Sequence, residues 1–185
     1  MEKLQTIQKT FGVFQKLSKA AKILCVVGAV TLVVLASCTW TQSRGGNVFS
    51  LVGEPLKLFP EGTDLLQKSV ELFAWAFMLT AQAILFGFSE SYLKAEQADK
   101  TPFTESGAQR LKRLGIRFIY IPLGAIAASQ VVAVCFGTEV VSGLDNFGSV
   151  VTGIVLLLAS MIFRYGAELE QAKTNEPSPV NEKGE

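Results

Sequence analysis

Four stretches without a single Asp, Glu, Lys or Arg constrain this chain more than anything else in it: Ile23–Ser43 (21 residues), Leu72–Ser89 (18), Phe118–Thr138 (21) and Asn146–Phe163 (18). At about 1.5 Å of rise per residue, helices of that length span roughly 27–32 Å, which matches the hydrocarbon core of a bilayer. The 17 basic and 16 acidic residues are crowded into the segments between them. Buried helices of soluble proteins are usually shorter than a membrane span, so four such stretches in 185 residues exclude an ordinary soluble domain. The pattern predicts an all-α integral membrane protein with four transmembrane helices in a bundle. The spans fall at about 23–43, 70–89, 117–138 and 146–164, inside a membrane domain covering 23–165. An amphipathic helix at 1–22 precedes it, and a polar tail at 166–185, largely disordered, follows.

The distribution of positive charge fixes an expected orientation. Fourteen of the 17 Lys and Arg residues lie in the N-terminal arm, in the connection between the second and third spans, or in the tail. Only Arg44, Lys57 and Lys68 lie in the other two connections. The positive-inside rule then places both termini in the cytoplasm. In the arm, Leu4, Ile7, Phe11 and Phe14 recur at helical spacing opposite Lys9 and Lys16, the pattern of a basic helix lying in the bilayer interface or docking a partner protein.

Several local features refine this outline. Leu35-Ala36-Ser37-Cys38 resembles a lipoprotein cleavage site, although a long basic arm and three further spans favour an uncleaved helix. Trp40 suits an interfacial anchor. The outer segment 44–71 is broken by Gly53, Pro55, Pro60 and Gly62, yet Val48, Phe49, Leu51, Val52, Leu56, Leu58 and Phe59 are too apolar for a free loop, so it is expected on the bilayer surface or against the bundle. Thr104 is placed to cap a helix that opens with Glu105. That helix carries a basic face, Arg110, Lys112, Arg113 and Arg117, just below the third span, where topology and phospholipid charge account for it. Pro122 falls inside the span and is expected to kink it.

Small residues four apart offer close helix approach at Ala83/Gly87, Gly124/Ala128, Ala125/Ser129, Gly148/Thr152 and Ser149/Gly153. Gln82 and Gln130, the most polar side chains deep in the spans, form a candidate interhelical pair.

The chemistry is sparse. The chain has no histidine, and Cys25, Cys38 and Cys135 show neither metal-ligand spacing nor a disulfide framework. Gly87-Phe88-Ser89-Glu90-Ser91 half resembles a nucleophile elbow but has no histidine to serve it. No ionisable group lies within the four uncharged cores, which weighs against a pump. The reading is therefore no enzyme, no cofactor, no metal and no direct nucleic-acid contact. The lipid bilayer is the one environment implied, and a homo-oligomer is compatible with it.

Two segments resemble a known family. Thr101-Pro102-Phe103-Thr104, followed by Gln109-Arg110-Leu111-Lys112-Arg113-Leu114-Gly115, looks like the middle-loop signature of domain of unknown function 2975 (DUF2975), a bacterial four-helix membrane family. Ile162-Phe163-Arg164-Tyr165-Gly166-Ala167-Glu168-Leu169 is similar to its C-terminal signature. The resemblance implies the bacterial cytoplasmic (inner) membrane, no established activity, and a cytosolic helix-turn-helix regulator as partner. After Leu169 the sequence departs from the family pattern. On this reading Arg110 and Arg113 meet Glu168 or Glu170, and the chain works through protein contacts. A small transporter or channel component is the alternative, and a lipoprotein or surface sensor cleaved before Cys38 the further one.

Overall fold

The computed structural model describes residues 2–45, 50–51, 54–55, 59–60, 62–98, 104–138 and 147–175. Among them are four long helices, α1 (Glu2–Ser43), α2 (Leu65–Ala98), α3 (Glu105–Cys135) and α4 (Phe147–Asn175), and two two-residue strands, β1 (Ser50–Leu51) and β2 (Glu54–Pro55). All four helices are long and apolar enough to cross a membrane. The chain is an all-α, multi-pass membrane protein.

The helices run antiparallel in sequence order. α1 packs on α2, α2 on α3 and α3 on α4. The start of α1, the end of α2, the start of α3 and the end of α4 lie at one end of the described molecule, here the basal end; the end of α1, the start of α2, the end of α3 and the start of α4 lie at the other, the distal end. At the distal end, α1 and α3 both close on a glycine in the left-handed region, Gly45 (φ 78°) and Gly137 (φ 65°), whose amides donate to Gln42 O and Val134 O. A side chain there would strain the backbone.

The N-terminal arm is no separate element. α1 continues unbroken from Glu2 through Lys22 into the first span, so its 42 residues extend about 63 Å, twice the hydrocarbon thickness. The side chains of Leu4, Ile7, Lys9 and Phe11 lie outside the described residues; Phe14 is exposed. α4 likewise continues past the fourth span to Asn175, so residues 166–175 of the polar tail are helical. Good helix formers and the Arg164–Glu168 pair one turn apart favour that continuation. Residues 176–185 lie outside the described residues, as do Val48, Phe49, Val52, Leu56 and Leu58 of the outer segment. The described part of that segment pairs Ser50 with Pro55 and Leu51 with Glu54 in an antiparallel ladder.

Two further helix starts have visible causes. Thr104 adopts extended backbone and accepts the Gly107 amide at 3.0 Å, capping α3 as its sequence suggests. Asp64 caps α2 by accepting the amides of Leu66 and Gln67. α3 runs through Pro122, which is buried, without a break in the helix.

The interior is thin and made largely of small residues. Val70, Ala74 and Met78 of α2 meet Ala133 of α3, with Ala125 and Ile126 beside them. Between α1 and α2, the buried Ser69 hydroxyl donates to Ala36 O at 2.9 Å. Between α3 and α4 the backbones nearly touch: a Cβ on Gly153 would lie 2.8 Å from Gly115 O and 2.6 Å from Ile119 Cγ1, and a Cβ on Gly115 would lie 2.9 Å from Gly153 O. Only glycine fits that crossing.

Candidate functional site

The basic face that the sequence singles out belongs to the basal end, where the uncharged stretches stop. There α2 faces α1 on one side and α3 on the other, and each side has its own ionic arrangement.

On the α1 side, Glu90 is buried and takes one lysine on each oxygen: Lys94 Nζ lies 2.7 Å from Oε1 and Lys22 Nζ 3.4 Å from Oε2. The hydrogen bond from Lys94 holds its carboxyl below the ordinary range, burial opposes this, and Lys22 adds to the lowering. This cross-helix contact ties the arm side of α1 to α2. From sequence Glu90 marks only the edge of a span, because its α1 partner is 68 residues away.

On the α3 side, Phe88, Tyr92 and Glu96 recur along one face of α2. The Arg117 guanidinium sits 3.8 Å over the Phe88 ring. Burial and the neighbouring Glu96 carboxylate push the Tyr92 phenol well above its ordinary value, and Arg110 partly offsets this. Glu96 is itself only 6% exposed, at the first turn of α3, where its Oε1 lies 2.8 Å from the position a Cβ on Gly107 would take. The positive end of the α3 dipole favours a carboxylate there, and Gly107 makes room for it.

The basic face splits between the two flanks of α3. Arg110, Arg113 and Arg117 line a cleft of about 200 Å³ toward α2, with Phe88, Tyr92 and Leu114. Lys112 points to the other flank, where Glu105, Gln109 and Lys112 share a groove with Leu157, Met161 and Arg164 of α4. The two motif segments therefore do meet, across that groove. Leu111, Leu114 and Gly115 are buried, while Phe163 and Gly166 are half-buried, and Arg164, Glu168 and Leu169 are exposed. Glu168 is engaged by Arg164 of its own helix at 3.0 Å, while Arg110 lies close enough to Tyr92 to act on its phenol. Pro102, Phe103 and the Glu170 side chain lie outside the described residues.

Deeper in the membrane, Gln82 Nε2 donates to Ser149 Oγ of α4 at 3.1 Å. Gln130 is half-buried on α3. Ser149 was visible in the sequence only as a small residue in a spacing pattern; its role as acceptor depends on how the helices are rotated. At the distal end Trp40 packs edge-on against Phe136 at 4.9 Å, under the Arg44 guanidinium. Ala36 and Cys38 of the lipoprotein-like segment are buried inside α1.

Searches against protein-family models, curated proteins and solved structures find no match to this chain, so the family resemblance rests on the motif residues alone.

Proposed function

We propose that this chain is a bacterial inner-membrane protein, with both termini cytoplasmic, that works by holding a cytosolic protein, a helix-turn-helix regulator, at the membrane. The observation that carries this reading is the form of α1. A helix that crosses the bilayer and continues without a joint presents a rigid arm of about 30 Å beyond the membrane edge. The arm is flanked by α2 as far as the level of Gly12 and Gln97. Its described face exposes Val13, Phe14 and Leu17 among Lys16 and Lys19. Apolar side chains displayed on a basic helix outside the uncharged stretch suit a groove on a partner protein. The lysine and arginine bias supports the cytoplasmic placement, and the two motif segments support the regulator as partner. Cys38, packed within α1, favours the uncleaved chain.

The test is co-purification in mild detergent with a cytosolic helix-turn-helix protein of the same cell. The full chain co-elutes with that protein, and Val13→Glu with Leu17→Glu abolishes co-elution while the membrane domain elutes unchanged. A full chain that passes through without the regulator, or arm variants that bind it as well as the parent, would sink the reading.

A further inference from the structure

The cleft between α2 and α3 at the basal end gathers three guanidinium groups. Arg110, Arg113 and Arg117 stand at helical spacing on one face of α3, over a floor of Leu114 and against Phe88 and Tyr92. Two of the acidic side chains near this end are engaged outside the cleft. Glu90 is held by Lys22 and Lys94, and Glu168 by Arg164. Glu96 lies on Tyr92, beside Arg110. Among the described residues, Arg113 and Arg117 form no ion pair with any carboxylate.

Their geometry suits one kind of ligand. The contact with the Phe88 ring anchors the Arg117 guanidinium in the cleft, and among the described residues no carboxylate pairs with it. Arg113, one turn earlier and exposed, offers a second fork. Paired guanidinium forks match the tetrahedral oxygens of a phosphoryl group better than a lone carboxylate. Depth narrows the source. Phe88 and Arg117 lie within a residue of the ends of their uncharged stretches, at the level where lipid phosphates sit. Above the cleft the same side of α3 exposes Tyr120 and Gly124, with open space over the glycine, in the direction acyl chains would run.

We propose that this cleft binds a phosphoryl group, carried by the headgroup of an anionic phospholipid, through Arg113 and Arg117 with Arg110 behind them. The site needs no cytosolic partner, so it stands or falls separately from the docking reading.

The experiment uses the full chain released from nanodiscs of phosphatidylglycerol mixed with phosphatidylcholine, with retained lipids counted by native mass spectrometry. At roughly fivefold per guanidinium, the parent retains phosphatidylglycerol over phosphatidylcholine by roughly ten- to thirtyfold. Arg113→Gln with Arg117→Gln brings the ratio near unity. Arg113→Gln alone, a change at an exposed position that leaves the Phe88 stack in place, lowers it about fivefold and covers the case in which the double variant misfolds. Lys112→Gln, on the opposite flank, leaves the preference intact. A second arm titrates inorganic phosphate in phosphatidylcholine discs: saturable binding with the same arginine dependence, and no headgroup preference in the first arm, would keep the phosphoryl site and assign it a soluble source. Equal retention of both lipids with no arginine-dependent phosphate binding overturns the proposal. So does a preference that Lys112→Gln removes as fully as Arg113→Gln.

Discussion

The two helical hairpins of this protein solve one problem in different ways. In a bilayer, lipid tails are as apolar as leucine, so helices gain little by hiding apolar surface from their surroundings and must cohere by close contact or polar bonds. α1 and α2 use side chains: the Ser69 hydroxyl on Ala36 O near the distal end, alanines along the middle, and Glu90 between two lysines at the base. α3 and α4 use the absence of side chains, with Gly115 and Gly153 bringing backbone onto backbone. The first design spreads its contacts over the helix length and tolerates small changes; the second concentrates them at one crossing and does not.

The sharpest way to break the contrast is at that crossing. Gly153→Val drives a branched side chain into Ile119 and the Gly115 carbonyl, and is expected to cost about 3 kcal/mol, read as a loss of thermal stability in detergent. The next effect is expected from acid at the base of the other hairpin. Glu90 has its pKa lowered in the folded protein, so the stability it lends is full above its unfolded value of about 4.3 and is lost as pH falls through the depressed native value. The distance between spin labels on α1 and α2 near Lys22 should therefore lengthen and broaden on acidification from about pH 6 to pH 3, while Glu90→Gln is already broad at pH 6 and shows no such dependence. Smaller still is Ser69→Ala, about 1 kcal/mol, because the Ala36 carbonyl loses a supplementary donor in a dry interface. Gln82→Leu, which removes the bond to Ser149, is expected to lower stability by only about 0.6 kcal/mol. If Ser69→Ala proved as damaging as Gly153→Val, the distinction between distributed and concentrated packing would fail.

Sequence made some of this legible and left the rest hidden for physical reasons. The spans could be read because exclusion of charge is a local property of composition, and Thr104 because a cap acts within one turn. Of the five small-residue spacings, Ala83/Gly87 lines the α1–α2 groove, Ser149/Gly153 lies on the packed side of α4 and Ala125/Ser129 borders the core. Gly124/Ala128 and Gly148/Thr152 are exposed. Spacing fixes which residues share a stripe but not which way the stripe turns. The same uncertainty of rotation hides Ser149 as the acceptor for Gln82. The arm looks independent because amphipathicity is judged window by window, whereas its continuity with the first span depends on a lack of helix breakers between Gly12 and Ile23. Neither Glu90 nor Glu96 could be assigned a partner, since each acts across helices whose pairing the linear order does not specify.

One consequence of the unbroken α1 is mechanical. Glu90 grips the rod at Lys22, close to its midpoint, with about 30 Å of helix on either side, the far end pressing Trp40 against Phe136. Because α2 also holds the rod beside Gly12 and at Ala36, a load placed on the arm is shared with the neighbouring helix, and the hairpin answers it as one body.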